Sequence, residues 1–331
     1  MFDLKLHVAA DADPTGPAAV EVAVLGLRDY FRRRNPDQRC LLLVDPQARD
    51  LPARPNGRHS LAALPRTTFS IADEAFPALH QPYLLTLDPT LPQFGAWLSE
   101  SLRIALEDRR PYTIASAPGQ RIGGWLGTTA SAEEVARHLS AHVLQTDDRG
   151  KRCALRFYDS RALALLWPVL TLMQRETLLG PIKTWHALDA GARSTAYAGL
   201  YPPAREEIAL KHDQWATIRR HGLVNRALAL HVSATGQQPQ PEAVEAALAA
   251  AARAEQHGFA ERDDILAFIG HALLWHPHFD SHPRVRRTIA AVSHDHPYAA
   301  AASDLSADEI DDIRSGTSCR GQNNDKLGKR A

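Results

Sequence analysis

The amino-acid sequence predicts an α/β N-terminal lobe with a mixed central sheet, followed by an all-α C-terminal lobe. Two short apolar runs end in the same Asp-Pro punctuation, Cys40-Leu-Leu-Leu-Val-Asp45-Pro46 and Tyr83-Leu-Leu-Thr-Leu-Asp88-Pro89, the pattern of buried strands bounded by turns. Near Pro202-Pro203 the alternation of strand and helix signals gives way to Ala-rich sequence with helical periodicity. At 331 residues the chain is long enough for two domains. These observations divide it into a strand/helix extension (1–37), an α/β domain (38–200), a helical lobe (201–313) and a disordered tail (314–331) with almost no large apolar residues.

Taken in order, Phe2, Leu4, Leu6 and Val8 alternate with polar residues at the period of a half-buried strand. Val20 to Arg34 reads as a strand running into a helix that Asn35-Pro36 stops, its arginines placed where the dipole favours cations. Strands follow at 40–45 and 83–88, then a helix over Leu91–Asp108 with an apolar face at Phe94, Trp97, Leu98, Leu102 and Leu106. Gly123-Gly-Trp-Leu126 is a strand with close backbone approach, and Ser131 caps a helix that reaches Val143. Asp147 to Gly150 is a hairpin-like turn into a strand at Cys153–Asp159. Helices at 161–170 and 174–179 and a last strand at Ile182–Leu188 complete this domain. The helical lobe holds helices near 206–230, 242–258, 263–274 and 283–293, with Gly258 as a C-cap.

Composition narrows the function. Lys plus Arg and Asp plus Glu each number 38, so the formal net charge is zero, which argues against a dedicated nucleic-acid binder. Three widely spaced cysteines form no disulfide framework and fit a reducing compartment. The start lacks the pattern of a signal peptide, and no apolar stretch approaches the length of a membrane helix. A cytoplasmic protein without membrane or nucleic-acid partners is expected.

Catalytic motifs are absent. Six histidines at 271, 276, 278, 282, 294 and 296 invite a zinc reading. Their spacing does not support it: His271 and His276 fall on different sides of a helix, no His-Glu-x-x-His occurs, and Pro277 and Pro283 put His278 and His282 in a loop. Neither a nucleophile elbow nor a Gly-rich phosphate loop is present, and Cys40 and Cys153 sit in apolar runs. No catalytic residue, metal ligand or cofactor is assigned. The densest polar and aromatic cluster is Arg156-Phe-Tyr-Asp-Ser-Arg161. Here Arg156 can pair with Asp159, Asp159 can cap the next helix, and Arg161 can reach across the turn. A structural corner, acid or base work by Asp159 and anion binding by the arginines all fit the residue types.

At this corner the sequence resembles a known family. Cys153-Ala-Leu-Arg-Phe-Tyr-Asp-Ser-Arg161, then Leu163, Leu166, Trp167 and Leu170, then Leu178-Leu-Gly-Pro-Ile182 and Trp185, resemble the domain of unknown function that defines type VI secretion adaptor chaperones of the Tap/Tec type. The strands at 41–45 and 82–88 and Gly124-Trp125-Leu126 agree in order, so the resemblance covers about residues 38–188. Gly258-Phe259, Asp263-Asp264, Phe268 and Phe279-Asp280-x-His282-Pro283 look like the helical extension such proteins often carry. The resemblance implies a non-catalytic cytoplasmic adaptor that binds a toxin effector's N-terminal region and helps load it onto the valine-glycine-repeat spike protein VgrG. Under that reading Trp97, Trp125, Arg156, Tyr158, Asp159 and Arg161 are the candidate partner-binding residues, near the junction of the lobes. Trp167 and Trp185 are expected in the core, while for Trp125 and Tyr158 exposure and burial both stand. A metal-dependent hydrolase using His271–His296 and a nucleic-acid-associated protein relying on Arg28–Arg34, Arg284–Arg287 and the tail are the alternatives.

Overall fold

The computed structural model describes residues 16–46, 49–52, 60–74, 76–116, 119–199, 207–293, 295–317 and 319. The alternating segment at 2–8 and nearly all of the tail from 318 onward lie outside the described residues. The chain forms two compact units, 1–218 and 219–331.

The first unit opens with α1 (Pro17–Asp29), prolonged by a π-helical turn, Tyr30–Arg34. The strand expected before this helix is absent. Val24, Leu27 and Phe31 recur at helical spacing and are buried, and that period governs the whole of 17–34. The basic run does more than sit in solvent, since Arg32 donates to the carbonyls of Pro89 and Leu91, both at 2.7 Å.

Strands β1 (Arg39–Val44), β2 (Arg66–Thr68) and β3 (Tyr83–Leu87) come next, then α2 (Phe94–Glu107), α3 (Pro111–Ser116) and β4 (Ile122–Thr128). Helix α4 (Ala132–Val143) starts at a capping box in which Ser131 accepts from Glu134 N–H and Glu134 from Ser131 N–H. A separate ribbon pairs β5 (Leu144–Thr146) with β6 (Arg152–Ala154) around the Asp147–Gly150 turn. Helices α5 (Ser160–Leu166) and α6 (Leu172–Leu179), then β7 (Ile182–Leu188) and β8 (Ser194–Ala198), follow before residue 200.

The six-stranded sheet has the order β2-β3-β1-β4-β7-β8. An α/β unit with a central sheet is therefore present, and each of its described ladders is antiparallel. Successive residues of β1 serve opposite faces. Cys40, Leu42 and Val44 join Phe31, Phe94, Trp97 and Leu98 below α1 and α2. Leu41 and Leu43 join Val135, Leu139, Leu163, Leu178 and Trp185 below α4, α5 and α6. A strand with both faces covered is continuous in its hydrophobicity, hence Leu-Leu-Leu-Val.

Two strand assignments change. The expected strand at Cys153–Asp159 lasts only through Ala154, because the chain must turn at 155–159 to present Asp159 as the cap of α5. Leu188 does not end the sheet, because Asp189 closes a tight hairpin into β8. Its N–H donates to Arg193 O at 2.8 Å, and its carboxylate accepts from Gly191 and Arg193 N–H.

The second unit is helical. Helix α7 (His212–Thr235) begins in the first unit and ends in the second, which further contains α8 (Pro241–Gln256), α9 (Arg262–Leu274), α10 (Pro283–Ala290), α11 (Tyr298–Ser303) and α12 (Ala307–Ser315). Buried Ala247, Ala250, Ala251 and Ala254 give α8 a flat face, and α9 is its main neighbour. Gly258 at φ 85° ends α8, with Phe259 N–H returning to Ala254 O at 3.1 Å. Phe259, Phe268, Phe279 and Tyr298 form the aromatic centre. The last two helices escaped the sequence reading although Ser306 and Glu309 form a capping box. Among the described residues no helix is long and apolar enough to cross a membrane.

Candidate functional site

The cluster at 156–161 forms one end of the sheet in the first unit. Asp159 caps α5 by accepting from Arg161 N–H at 3.0 Å, and the same carboxylate takes Arg161 Nε at 3.1 Å and Nη2 at 2.7 Å. Burial alone would raise this carboxyl; the Arg161 guanidinium overrides it and holds Asp159 down at about 2. Its lone pairs are engaged and it stays ionised at neutral pH. Arg156 does not pair with Asp159 as expected but with Asp45, at 3.1 Å, just beyond β1. Its side chain is 44% exposed against 5% for that of Asp45, so Arg156 is the outward-facing member of the corner.

Two buried arginines that the sequence reading missed complete this end. Arg109 donates through Nη2 to Ser160 Oγ at 3.0 Å and to Leu188 O at 2.8 Å, tying α5 to the end of β7. Burial, with Arg161 adding to it, lowers Arg109 to about 10, and it remains a cation. Arg121 grips Asp108 through Nε and through Nη2 at 2.6 Å. The Asp-Pro at 45–46 and the Asp-Arg-Arg at 108–110 were the available signals, but neither says which charges meet.

Glycines explain how the corner packs. Tyr158 O lies where a Gly123 side chain would begin, and Leu43 is 2.9 Å from the same point. Gly124 has φ 146°, and a Cβ there would stand 2.5 Å from His186 O and from Trp185 Nε1. Trp185 uses this space to donate from Nε1 to Gly123 O at 3.1 Å, and its ring meets Phe157 edge-on. The Gly-Gly-Trp, Arg-Phe-Tyr-Asp and Gly-Pro-x-x-x-Trp strings thus converge at one packed place.

The six candidate residues do not share a surface. Arg156, Tyr158, Asp159 and Arg161 are neighbours in sequence and space. Trp97 and Trp125 lie across the sheet, among the residues below α1 and α2. Trp125 is 2% exposed and donates from Nε1 to Ser101 Oγ at 2.9 Å, while Tyr158 is 1% exposed with the Arg156 guanidinium over its ring. Trp97 is buried as well. These rings belong to cores, and Trp185 is buried as expected; Trp167 is partly buried against the core.

The histidines have individual partners. His271 Nδ1 is 2.6 Å from Tyr298 Oη and its ring stacks on Trp275. His282 accepts from Arg284 N–H as the cap of α10 and its Nε2 is 2.9 Å from Asp312. Among the described residues, which exclude His294, no three His, Cys, Asp or Glu side chains converge as a metal site.

Residues 40–177 match the family model described as Domain of unknown function (DUF4123). No curated protein and no solved structure matches the chain. The DUF4123 match starts in β1 and stops within α6, so it contains Asp45, Arg109, Gly123, Gly124 and the whole 156–161 corner. Trp185 and the two strands that finish the sheet lie beyond it.

Proposed function

We propose that this protein is a non-catalytic adaptor that binds the N-terminal region of a type VI secretion toxin effector and helps place it on the VgrG spike, acting in the cytoplasm. The observation that carries the reading is the DUF4123 match over residues 40–177, because the strings between 41 and 185 that resemble the Tap/Tec adaptors fall within or immediately after it. Their convergence in the first unit supports treating them as one packed element rather than scattered coincidences of composition. An adaptor of this kind works by holding a partner, for which a rigid scaffold with a charged end suffices.

Tagged protein purified from its native cell tests this. The expected result is a toxin and a VgrG protein in the preparation, with the toxin's N-terminal region alone sufficient for binding when the two purified components are mixed. A preparation with stoichiometric metal and a turnover activity, or with nucleic acid lost steeply on adding salt, would replace the adaptor reading.

A further inference from the structure

An open groove of about 310 Å³ lies on the first unit where α1 meets the C-terminal half of α2. Its apolar lining is Val20, Pro52, Ile104 and Leu106. Its charged lining is Arg103, Arg110, Arg121 and Glu107. Asp108, behind Arg121, also holds Arg49 at 2.6 Å, so among the described residues at this groove the guanidiniums of Arg49, Arg103, Arg110 and Arg121 face the carboxylates of Glu107 and Asp108. Glu107 is already engaged by Arg110 at 3.5 Å and by the Tyr112 hydroxyl. Arg103 is exposed and makes no ion pair or hydrogen bond among the described residues.

We propose that this groove docks an acidic peptide segment, seating an apolar side chain on Val20, Pro52, Ile104 and Leu106 and its carboxylates on Arg103 and Arg110. Charge complementarity selects the occupant: a basic segment meets an excess of guanidiniums, and a purely apolar one leaves Arg103 without a counter-ion. The segment's owner is the effector, and in this respect the assignment rests on the adaptor reading. At the 156–161 corner Arg161 is paired with Asp159 and Arg156 with Asp45, whereas the groove offers Arg103, which has no ion pair among the described residues, beside apolar surface.

The probe is a short fluorescein-labelled peptide alternating Glu and Leu, measured by anisotropy against the full chain. Arg103→Glu/Arg110→Glu is expected to weaken binding about tenfold or more, since both cationic contacts are lost and the reversal adds repulsion. The same peptide with Gln for Glu is expected to bind more weakly than the Glu form. Arg287→Glu, in the second unit, should change nothing. An unchanged thermal midpoint for the double variant shows that its fold is intact. Equal binding of the Glu and Gln peptides, equal binding by the double variant, or no binding of the Glu peptide overturns the groove. A peptide of residues 1–15 of this chain that displaces the probe more tightly than the probe binds would assign the groove to the chain itself and overturn the effector assignment. In the native-cell purification, loss of the toxin from the folded double variant supports the proposal. Retention of the toxin overturns the groove and leaves the adaptor reading standing. Wild-type protein that captures no toxin overturns the adaptor reading and the effector assignment, and the peptide measurement alone then decides whether the groove binds an acidic segment.

Discussion

Replacing Asp159 by Ala removes three functions at once: the cap of α5, the two side-chain bonds to Arg161, and the negative charge among Arg161, Arg109 and Arg156. Loss of a cap costs about 1 kcal/mol, and a buried charged group left without its partner costs a further ~1–3 kcal/mol. Arg161 is 20% exposed and recovers some hydration, so the expected loss for Asp159→Ala is about 2–4 kcal/mol. Asp159→Asn keeps an oxygen for the Arg161 N–H and should lose less, which separates cap from charge. Because the folded-state carboxyl is depressed to about 2 from 3.8, its contribution is present above pH 3.8 and is lost as pH falls toward 2. Urea unfolding at neutral pH, with a thermal series between pH 4 and 2 at low salt, reads both effects. A loss below ~0.5 kcal/mol for Asp159→Ala, the level of an ordinary surface change, would refute the reasoning, as would an Asn variant no better than Ala.

Gly123→Ala should destabilise by about 1–3 kcal/mol through overpacking, and the new methyl can be relieved only by moving Tyr158 backbone or Leu43; chemical denaturation with the 156–161 corner probed by hydrogen exchange checks it. Trp125→Ala should lower stability by about 3–5 kcal/mol because the ring is buried and bonded to Ser101; an unchanged thermal midpoint with weakened effector capture would instead make it a surface anchor. Burial lowers His186, and also His142 with help from His138, to about 4 from 6.5. The unfolded chain then binds more protons between those values, so stability is full above pH 6.5 and falls as pH drops toward 4. A Gln in place of His186 should flatten part of that slope in denaturation curves.

What the sequence disclosed followed from local pattern. Leu41 to Val44 and Tyr83 to Leu87 are short, apolar and punctuated by Asp-Pro, and both are central strands. Ser131 and Gly258 terminate helices where their chemistry requires it. β2 and β8 escaped because edge strands bury few side chains, and Arg66-Thr-Thr68 and Ser194–Ala198 carry no apolar run. The corner residues were readable as a cluster, but the ion pair of Arg156 with Asp45 spans 111 positions, and no local spacing encodes it. Aromatic richness was equally ambiguous: the two glycines before Trp125 announce a close backbone approach but not what approaches, and it is Trp185 and the backbone of Tyr158 and His186 that fill the space. The groove combines α1, α2 and the segment at Pro52, so only the tertiary structure brings Val20 to Arg103.

The strand order has a consequence for synthesis. β1 has β3 on one side, which emerges from the ribosome some forty residues later, and β4 on the other, which needs residues 122–128. Until then Cys40 to Val44, apolar on both faces, presents an open edge to its surroundings, the condition under which nascent chains associate wrongly. β7 and β8 arrive only after residue 182, so most pairings of the sheet are distant in sequence and slow to form. A chain truncated where the DUF4123 match ends, at residue 177, would lack Trp185 and the strand that covers β4. Such a fragment is expected to aggregate, whereas one ending at residue 218 carries every strand the sheet requires.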